Sequence, residues 1–209
     1  MVKVYGLNIK SIEKYFDNVK NILSKERLEK FNKYKKYDDK LRCLASGILL
    51  NEYIGKENVN KIKYVENGKP YIENGIHFNI SHSGEYVVIA IDNNIVGIDI
   101  EKREDRQVDK LIKKVFTNEE QNYIAKQEDK IGVFYKLWTL KESYMKYTGK
   151  GLSISPDKIE FCIKDNDIKL KDDIKDLSFY VNETHINGYT ISLCTSQKNY
   201  DSNIEIVRM

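Results

Sequence analysis

The run Val96-Gly97-Ile98-Asp99-Ile100-Glu101 sets two carboxylates two positions apart in strict alternation with apolar residues. A strand repeats every second residue, so Val96, Ile98 and Ile100 share one face and Gly97, Asp99 and Glu101 the other. Asp99 and Glu101 are then neighbours, about 7 Å apart along the backbone. Two carboxylates this close repel unless a cation lies between them. Hard oxygen donors favour Mg²⁺, which characteristically bridges a few carboxylates and substrate phosphates. The exposed polar face of an antiparallel strand would produce the same pattern.

A third carboxylate sits in IGVFYKLWTLKESYMKY. At helical spacing Ile131, Phe134, Tyr135, Trp138 and Met145 form one apolar stripe, with Glu142 at its centre. Val133, Leu137, Leu140, Tyr144 and Tyr147 form a second, opposite stripe. A helix buried on two sides makes a lone carboxylate costly unless a cation or metal pairs with it. Lys146 is one turn on and can be that partner. Two readings stand: a structural Glu–Lys pair at a helix end, or a metal carboxylate beside a phosphate-binding lysine.

Arg27 and Lys30 share one helix face and Arg42 lies on the next helix, a pattern that solvated surface also gives. His82, in Asn79-Ile80-Ser81-His82-Ser83-Gly84, follows a strand and suggests a ligand loop, although a satisfied structural histidine fits as well. His77 and His185 have no informative neighbours. The phosphate loop G-x-x-x-x-G-K-[ST], the dinucleotide G-x-G-x-x-G and the hydrolase G-x-S-x-G are all absent. Cys43, Cys162 and Cys194 are odd in number and widely spaced, which supports neither a disulfide framework nor a zinc site.

The elements that must position these residues read as follows. VKVYGLNI alternates as a strand, residues 11–55 are helical with one start at Ser24, and a helix from about Asp39 ends at Gly55. Turn signals at Asn67-Gly68-Lys69-Pro70 and Asn74-Gly75 precede the strands HFNIS, EYVVIAI and IVGIDIE, with Asp92-Asn93-Asn94 as a hairpin turn between the last two. Thr117 and Glu120 match a capping box, and a long helix runs from Lys130 to Thr148 and stops at Gly149. KIEFCI, LSFYV, YTISLC and NIEIV return to strand. The expected class is α+β: two halves of similar content, each a small mainly antiparallel sheet packed with helices. The boundary is expected near residue 102, giving halves 1–102 and 103–209.

The chain has 209 residues, 41% hydrophobic and 32% charged, with a formal charge of +3. It is long enough for a core without staples. No apolar run approaches the roughly 20 residues of a membrane span, and the opening residues carry no apolar signal segment. A cytoplasmic protein with no membrane role is expected. An RNA-binding module would interleave basic and aromatic residues on a sheet face; these strands are apolar or acidic, so no nucleic-acid partner is expected.

Gly68-Lys69-Pro70, FNISHSG (78–84), VGIDIE (96–101) and LWTLKESYMKYTGKGL (137–152), in this order, resemble the 4′-phosphopantetheinyl transferases of the surfactin-synthetase-activating type. SKERLEKFNKYKK and RCLASGILL are also similar to that family. The resemblance implies a pseudo-dimer in one chain, acting as a monomer. It implies transfer of 4′-phosphopantetheine from coenzyme A to a serine of an acyl, peptidyl or polyketide carrier protein, with release of 3′,5′-ADP. By position it implies Mg²⁺ on Asp99, Glu101 and Glu142, and Lys146 at the pyrophosphate. Lys69 and Pro70 fall near the adenine and its phosphates. Ser81 and His82 touch coenzyme A, and Arg27, Lys30 and Arg42 surround the 3′-phosphate. Cys43 stands where a threonine is sometimes found. Glu142 is the first candidate to accept the serine proton and Lys146 the rival. The 1–102 half would hold coenzyme A and the 103–209 half the metal helix and carrier surface, with Lys113, Lys114 and Phe116 as candidate carrier contacts. A member that binds coenzyme A without turnover is the alternative, and the intact acidic triad opposes it.

Overall fold

The architecture comes from a computed structural model describing residues 1–105, 107–164, 167–171, 176–183, 185–198, 200 and 203–209. Strand β1 is Lys3–Asn8, followed by a 3-10 stretch at Ile9–Asn18. Helices α1 (Val19–Ile22), α2 (Lys25–Lys33), α3 (Tyr37–Leu50) and α4 (Lys56–Val59) come next. The short strands β2 (Lys63–Tyr64) and β3 (Pro70–Tyr71) lead to β4 (His77–Ser83) and β5 (Tyr86–Asp92). Ser24 starts α2 by accepting from the Arg27 backbone N–H at 3.4 Å, as a helix cap should. Residues 51–55 form a π turn after α3, and Gly55, at φ 88° and ψ 140°, links it to α4 instead of closing the helix in the expected left-handed cap.

The second half opens with β6 (Val96–Lys102). Helices α5 (Asp109–Val115), α6 (Asn118–Ala125) and α7 (Lys130–Thr148) follow. Strands β7 (Phe161–Lys164), β8 (Asp167–Leu170), β9 (Ser178–Asn182), β10 (Tyr189–Thr195) and β11 (Ile204–Val207) complete it. The capping box is formed in both directions, Glu120 N–H to Thr117 Oγ1 at 3.3 Å and Thr117 N–H to Glu120 Oε2 at 2.9 Å. α7 ends at Gly149, left-handed at φ 69°.

The two halves repeat one topology. In the first, β1 pairs with β5 and β5 with β4, all antiparallel; in the second, β6 pairs with β10 and β10 with β9, again antiparallel. Each half is thus a strand, a helical stretch and two returning strands, in spatial order first-third-second. The strand carrying Asp99 opens the second repeat rather than closing the first, so the change of half falls before Val96 and not after residue 102. The Asp92 turn is not a hairpin. It carries the chain from one sheet to the next, and the hairpin lies instead between Ser83 and Tyr86, around Gly84 at φ 51°. β11 departs from the expected division too, adding parallel to β1 in the first sheet.

A core of its own fills each half, and a third apolar cluster joins them: Val4, Val88 and Ala90 against Val96, Ile98, Ile100, Ile191 and Leu193. The apolar face of β6 therefore sits on the seam. Its other face is covered by α7. A Cβ on Gly97 would stand 2.1 Å from Ser143 O and 2.4 Å from Tyr147 N, so only glycine lets the helix backbone rest on the strand.

Candidate active site at the seam

Strand β4 runs beside β6, and its odd positions face that neighbour. Asn79 Oδ1 accepts from the Ile98 backbone N–H at 2.9 Å. Ser81 Oγ donates to Asp99 Oδ1 at 2.8 Å, and Ser83 Oγ to Glu101 Oε2 at 2.8 Å. His82 thus lies within β4 rather than in a loop after it, and the period-two series Asn79, Ser81, Ser83 is a polar strand face whose two serines brace the acidic pair while Asn79 holds the Ile98 backbone.

Asp99 is 3% exposed. Its Oδ1 also accepts from Lys146 Nζ at 2.6 Å, and the same ammonium donates to Ser81 Oγ at 2.7 Å. Its Oδ2 is buried with no hydrogen-bond partner among the described residues. A buried acceptor left unpaired costs about 1–3 kcal/mol, more when charged. Glu142 comes from the helix packed on Gly97. Burial, then the charges of Asp99 and Glu101, push its carboxyl up to about 7, against the pull of Lys146. Burial and Asp99 also raise Glu101, opposed by hydrogen bonds from Ser83 and the Trp138 side chain. Three carboxyls on two elements thus share one desolvated, mutually repelling environment, which excludes the exposed polar face that the strand pattern alone allowed.

Among the described residues no three His, Cys, Asp or Glu side chains are gathered tightly enough to hold a metal ion as they stand. Lys146 occupies one oxygen of Asp99, and Ser83 holds Glu101. The chemistry of the donor set nevertheless fits a hard divalent cation: oxygen donors only, one of them buried and orphaned, and two carboxyls whose ionisation a cation would favour.

Even positions of β4 face the opposite way. His82 and Ile80 line a second cavity of ≈ 240 Å³, with Arg27, Lys30, Arg42 and Pro70. Arg42 is held in place by Gly84 O at 2.5 Å and Asp39 Oδ1 at 2.6 Å. Lys30 pairs with Glu26 at 3.2 Å and lies 4.6 Å from the Tyr64 ring centre. Desolvation by the cavity walls, then the cations Arg42 and Lys146, lower the His82 imidazole below its ordinary value. Cys43 lines the same cavity and donates to Arg27 O at 3.6 Å. Arg27, Lys30, Arg42 and His82, far apart in sequence, are thus brought together, whereas Ser81 belongs to the carboxylate side. β4 is the wall between the two sites.

Two expected residues lie elsewhere. Lys69 turns from this cavity and donates to Tyr147 O at 2.9 Å and Val96 O at 3.3 Å, where burial pushes its ammonium down to about 8. Its side chain ties the Gly68 loop to the end of α7. Phe116 is core, 2% exposed and edge-on to Phe134, so it offers no surface to a partner. Lys141 is a further buried cation on α7. Fully buried, it donates to Glu120 Oε2 at 2.5 Å and to Val115 O, Pro156 O and Ile159 O at 3.1, 2.8 and 2.6 Å. Its only sequence signal was a charge inside an apolar helix. Among the described residues no helix is long and apolar enough to cross a membrane.

Two family models match this chain: the 4′-phosphopantetheinyl transferase superfamily over residues 95–194, and the 4′-phosphopantetheinyl transferase N-terminal family over 10–94. They meet where the strand pairing changes half. The 4′-phosphopantetheinyl transferase gsp of Aneurinibacillus migulanus is 37% identical over 66% of this chain and 61% of its own length. A 4′-phosphopantetheinyl transferase of Bacillus subtilis is 36% identical over 72% of this chain and 70% of its own. The transferase Sfp of Bacillus subtilis strain 168 is 29% identical over 99% and 97%. The chain belongs to the 4′-phosphopantetheinyl transferase family, enzymes that move the phosphopantetheine arm of coenzyme A onto a carrier protein.

Proposed function

We propose that the seam carries out this transfer with Asp99, Glu101 and Glu142 as the residues that hold Mg²⁺, and that the cavity across β4 holds the 3′-phosphate of coenzyme A. The observation that carries the reading is the orphaned, buried Oδ2 of Asp99 beside the raised carboxyl of Glu142. A bound Mg²⁺ supplies charge neutralisation at the pyrophosphate.

The remaining work falls to side chains of this chain. Arg27, Lys30, Arg42 and His82 fix one end of coenzyme A by its phosphate, which makes attack at the other end effectively intramolecular. Lys146, held by Asp99 and Ser81, faces the pyrophosphate and neutralises charge as 3′,5′-ADP departs. The carrier serine hydroxyl attacks the β-phosphate. Glu142, ionised once a cation is bound, would accept its proton; Lys146 is the rival acceptor only as the neutral amine, a form that could not also neutralise the departing phosphate. Both walls of the site come from one chain, which supports action as a monomer. The carrier, an acyl, peptidyl or polyketide carrier protein, brings its serine from the second half. Lys113 and Lys114, exposed on α5, steer it. No nucleic-acid or membrane partner belongs to this reading, and the setting is the cytoplasm.

Replacing Arg42 by Ala tests the phosphate end. Calorimetry should find coenzyme A weakened at least about tenfold and dephospho-coenzyme A little changed, the loss of a charge-assisted contact. Equal losses for both ligands contradict the assignment.

A further inference from the structure

Lys141 neighbours Glu142 in sequence, yet its ammonium points into the second half and none of its four partners belongs to the seam site. Val115 O is the end of α5, Glu120 belongs to the first turn of α6, and Pro156 O and Ile159 O lie on the segment after α7. Glu120 is itself saturated, with Oε1 accepting from the Phe161 N–H at 2.9 Å and Oε2 also accepting from the Thr117 N–H. One buried ion pair therefore fixes three separate segments to the helix that bears Glu142 and Lys146.

Those segments share a surface. A shallow cavity of ≈ 420 Å³ lies outside the pair, lined by Lys113, Lys114, Thr117, Asp157 and Lys158 among others. Phe116, its ring centre 4.9 Å from Lys141 Nζ, forms the floor between that cavity and the ammonium. Lysine is poorly suited to a purely apolar core position, and four well-placed acceptors are what make it tolerable there. An apolar side chain could hold the core together; it could not set three carbonyls and a carboxylate at fixed distances from one helix position.

We infer that Lys141 is a positioning residue for the carrier: through the Glu120 pair it holds the α5–α6 corner and the Pro156–Ile159 segment at the distance from Glu142 that a docked carrier serine requires. This rests on the reading that the carrier docks on the basic α5 surface. Coenzyme A, held in the first half, is outside its reach.

The test uses the full chain with an apo carrier protein, coenzyme A and Mg²⁺. Lys141→Met/Glu120→Gln removes both charges at once and so leaves no buried ion unpaired. Folding is checked by circular dichroism. The expected result is a carrier KM raised about tenfold, with kcat and the coenzyme A affinity within about twofold of the parent. An unchanged carrier KM with kcat lowered in step with the folded fraction overturns the proposal, because Lys141 is then only structural. Equal losses for carrier and coenzyme A overturn it as well. If the double variant does not fold, Glu120→Asp, which keeps both charges but shortens the tether between α6 and the ammonium, should raise the carrier KM about threefold, and no rise overturns the proposal. Lys113→Glu/Lys114→Glu in the same assay separates the two readings: no change in carrier KM there removes the α5 docking surface itself, whatever the Lys141 variants do.

Discussion

α7 carries two lysine–carboxylate pairs with opposite characters. Lys141 is fully buried, its four acceptors are in place, and Glu120 spends both oxygens on donors. Lys146 is 27% exposed at its side chain, and the Asp99 it meets keeps one buried oxygen without a partner. Burial still pulls the Lys141 ammonium below its ordinary value against the Glu120 carboxylate, but both Glu120 oxygens already have donors, so nothing is left over for a ligand. Incomplete pairing leaves a buried acceptor that a ligand can satisfy, next to Glu101 and Glu142, whose carboxyls burial and Asp99 raise. Both lysines meet a buried carboxylate; what separates the two pairs is the number of partners each carboxylate has, not its burial.

The comparison breaks first at Lys141. Lys141→Met alone leaves the Glu120 carboxylate buried and unpaired, which should cost about 3–5 kcal/mol and lower the melting temperature by roughly 6–20 °C for a chain of this size. Lys146→Met also strips a cation from a buried carboxylate, Asp99, but the Lys146 position is partly open, so water can reach Asp99 in its place and the loss should be smaller. Thermal melts of the two variants side by side decide this; equal losses would erase the distinction.

Acidity sharpens it. Glu142 has its carboxyl raised to about 7 in the folded chain, from an ordinary value near 4.5. Between those values the folded state binds more protons than the unfolded one, so this group's contribution to stability is present below pH 4.5 and is lost as pH rises through 7. Glu101 is shifted in the same direction. Urea midpoints should therefore fall less steeply over that window in Glu142→Gln than in the parent. Added Mg²⁺ should flatten the parent's profile as well, since a cation favours the ionised carboxyls. His82, shifted the other way, tilts both profiles alike, so the parent-minus-variant difference is the readout, and a difference that does not fall across this window contradicts the shift.

The smallest effect is expected at Lys69. Its ammonium caps the α7 end through Tyr147 O and Val96 O, so Lys69→Met should cost about 1 kcal/mol of stability. Its affinity for coenzyme A should change by less than about threefold. A larger loss by calorimetry would return Lys69 to the nucleotide, where the family resemblance puts it.

Most of the site was legible because its residues lie on elements of plain periodicity. Alternation in 96–101 placed Asp99 and Glu101 together, and the apolar stripes of 130–148 set Glu142 in a buried helix. Strand partners were not legible. Asp92-Asn93-Asn94 has the chemistry of a local reversal, and a reversal between paired strands looks the same as one that changes sheet. The same blindness hid β11, whose partner β1 lies at the other end of the chain. It also hid the contrast between the two lysines, since Lys141 and Lys146 differ only in acceptors contributed by distant segments.

The claim that the incompletely paired site is the reacting one is tested most directly by the intact mass of a carrier. An apo carrier protein incubated with coenzyme A, Mg²⁺ and this chain should gain one phosphopantetheine. The carrier should stay unmodified when Mg²⁺ is chelated or when the chain carries Asp99→Asn, a variant that keeps the fold because the apolar face of β6 is untouched. Full conversion by folded Asp99→Asn at the parent rate would contradict it.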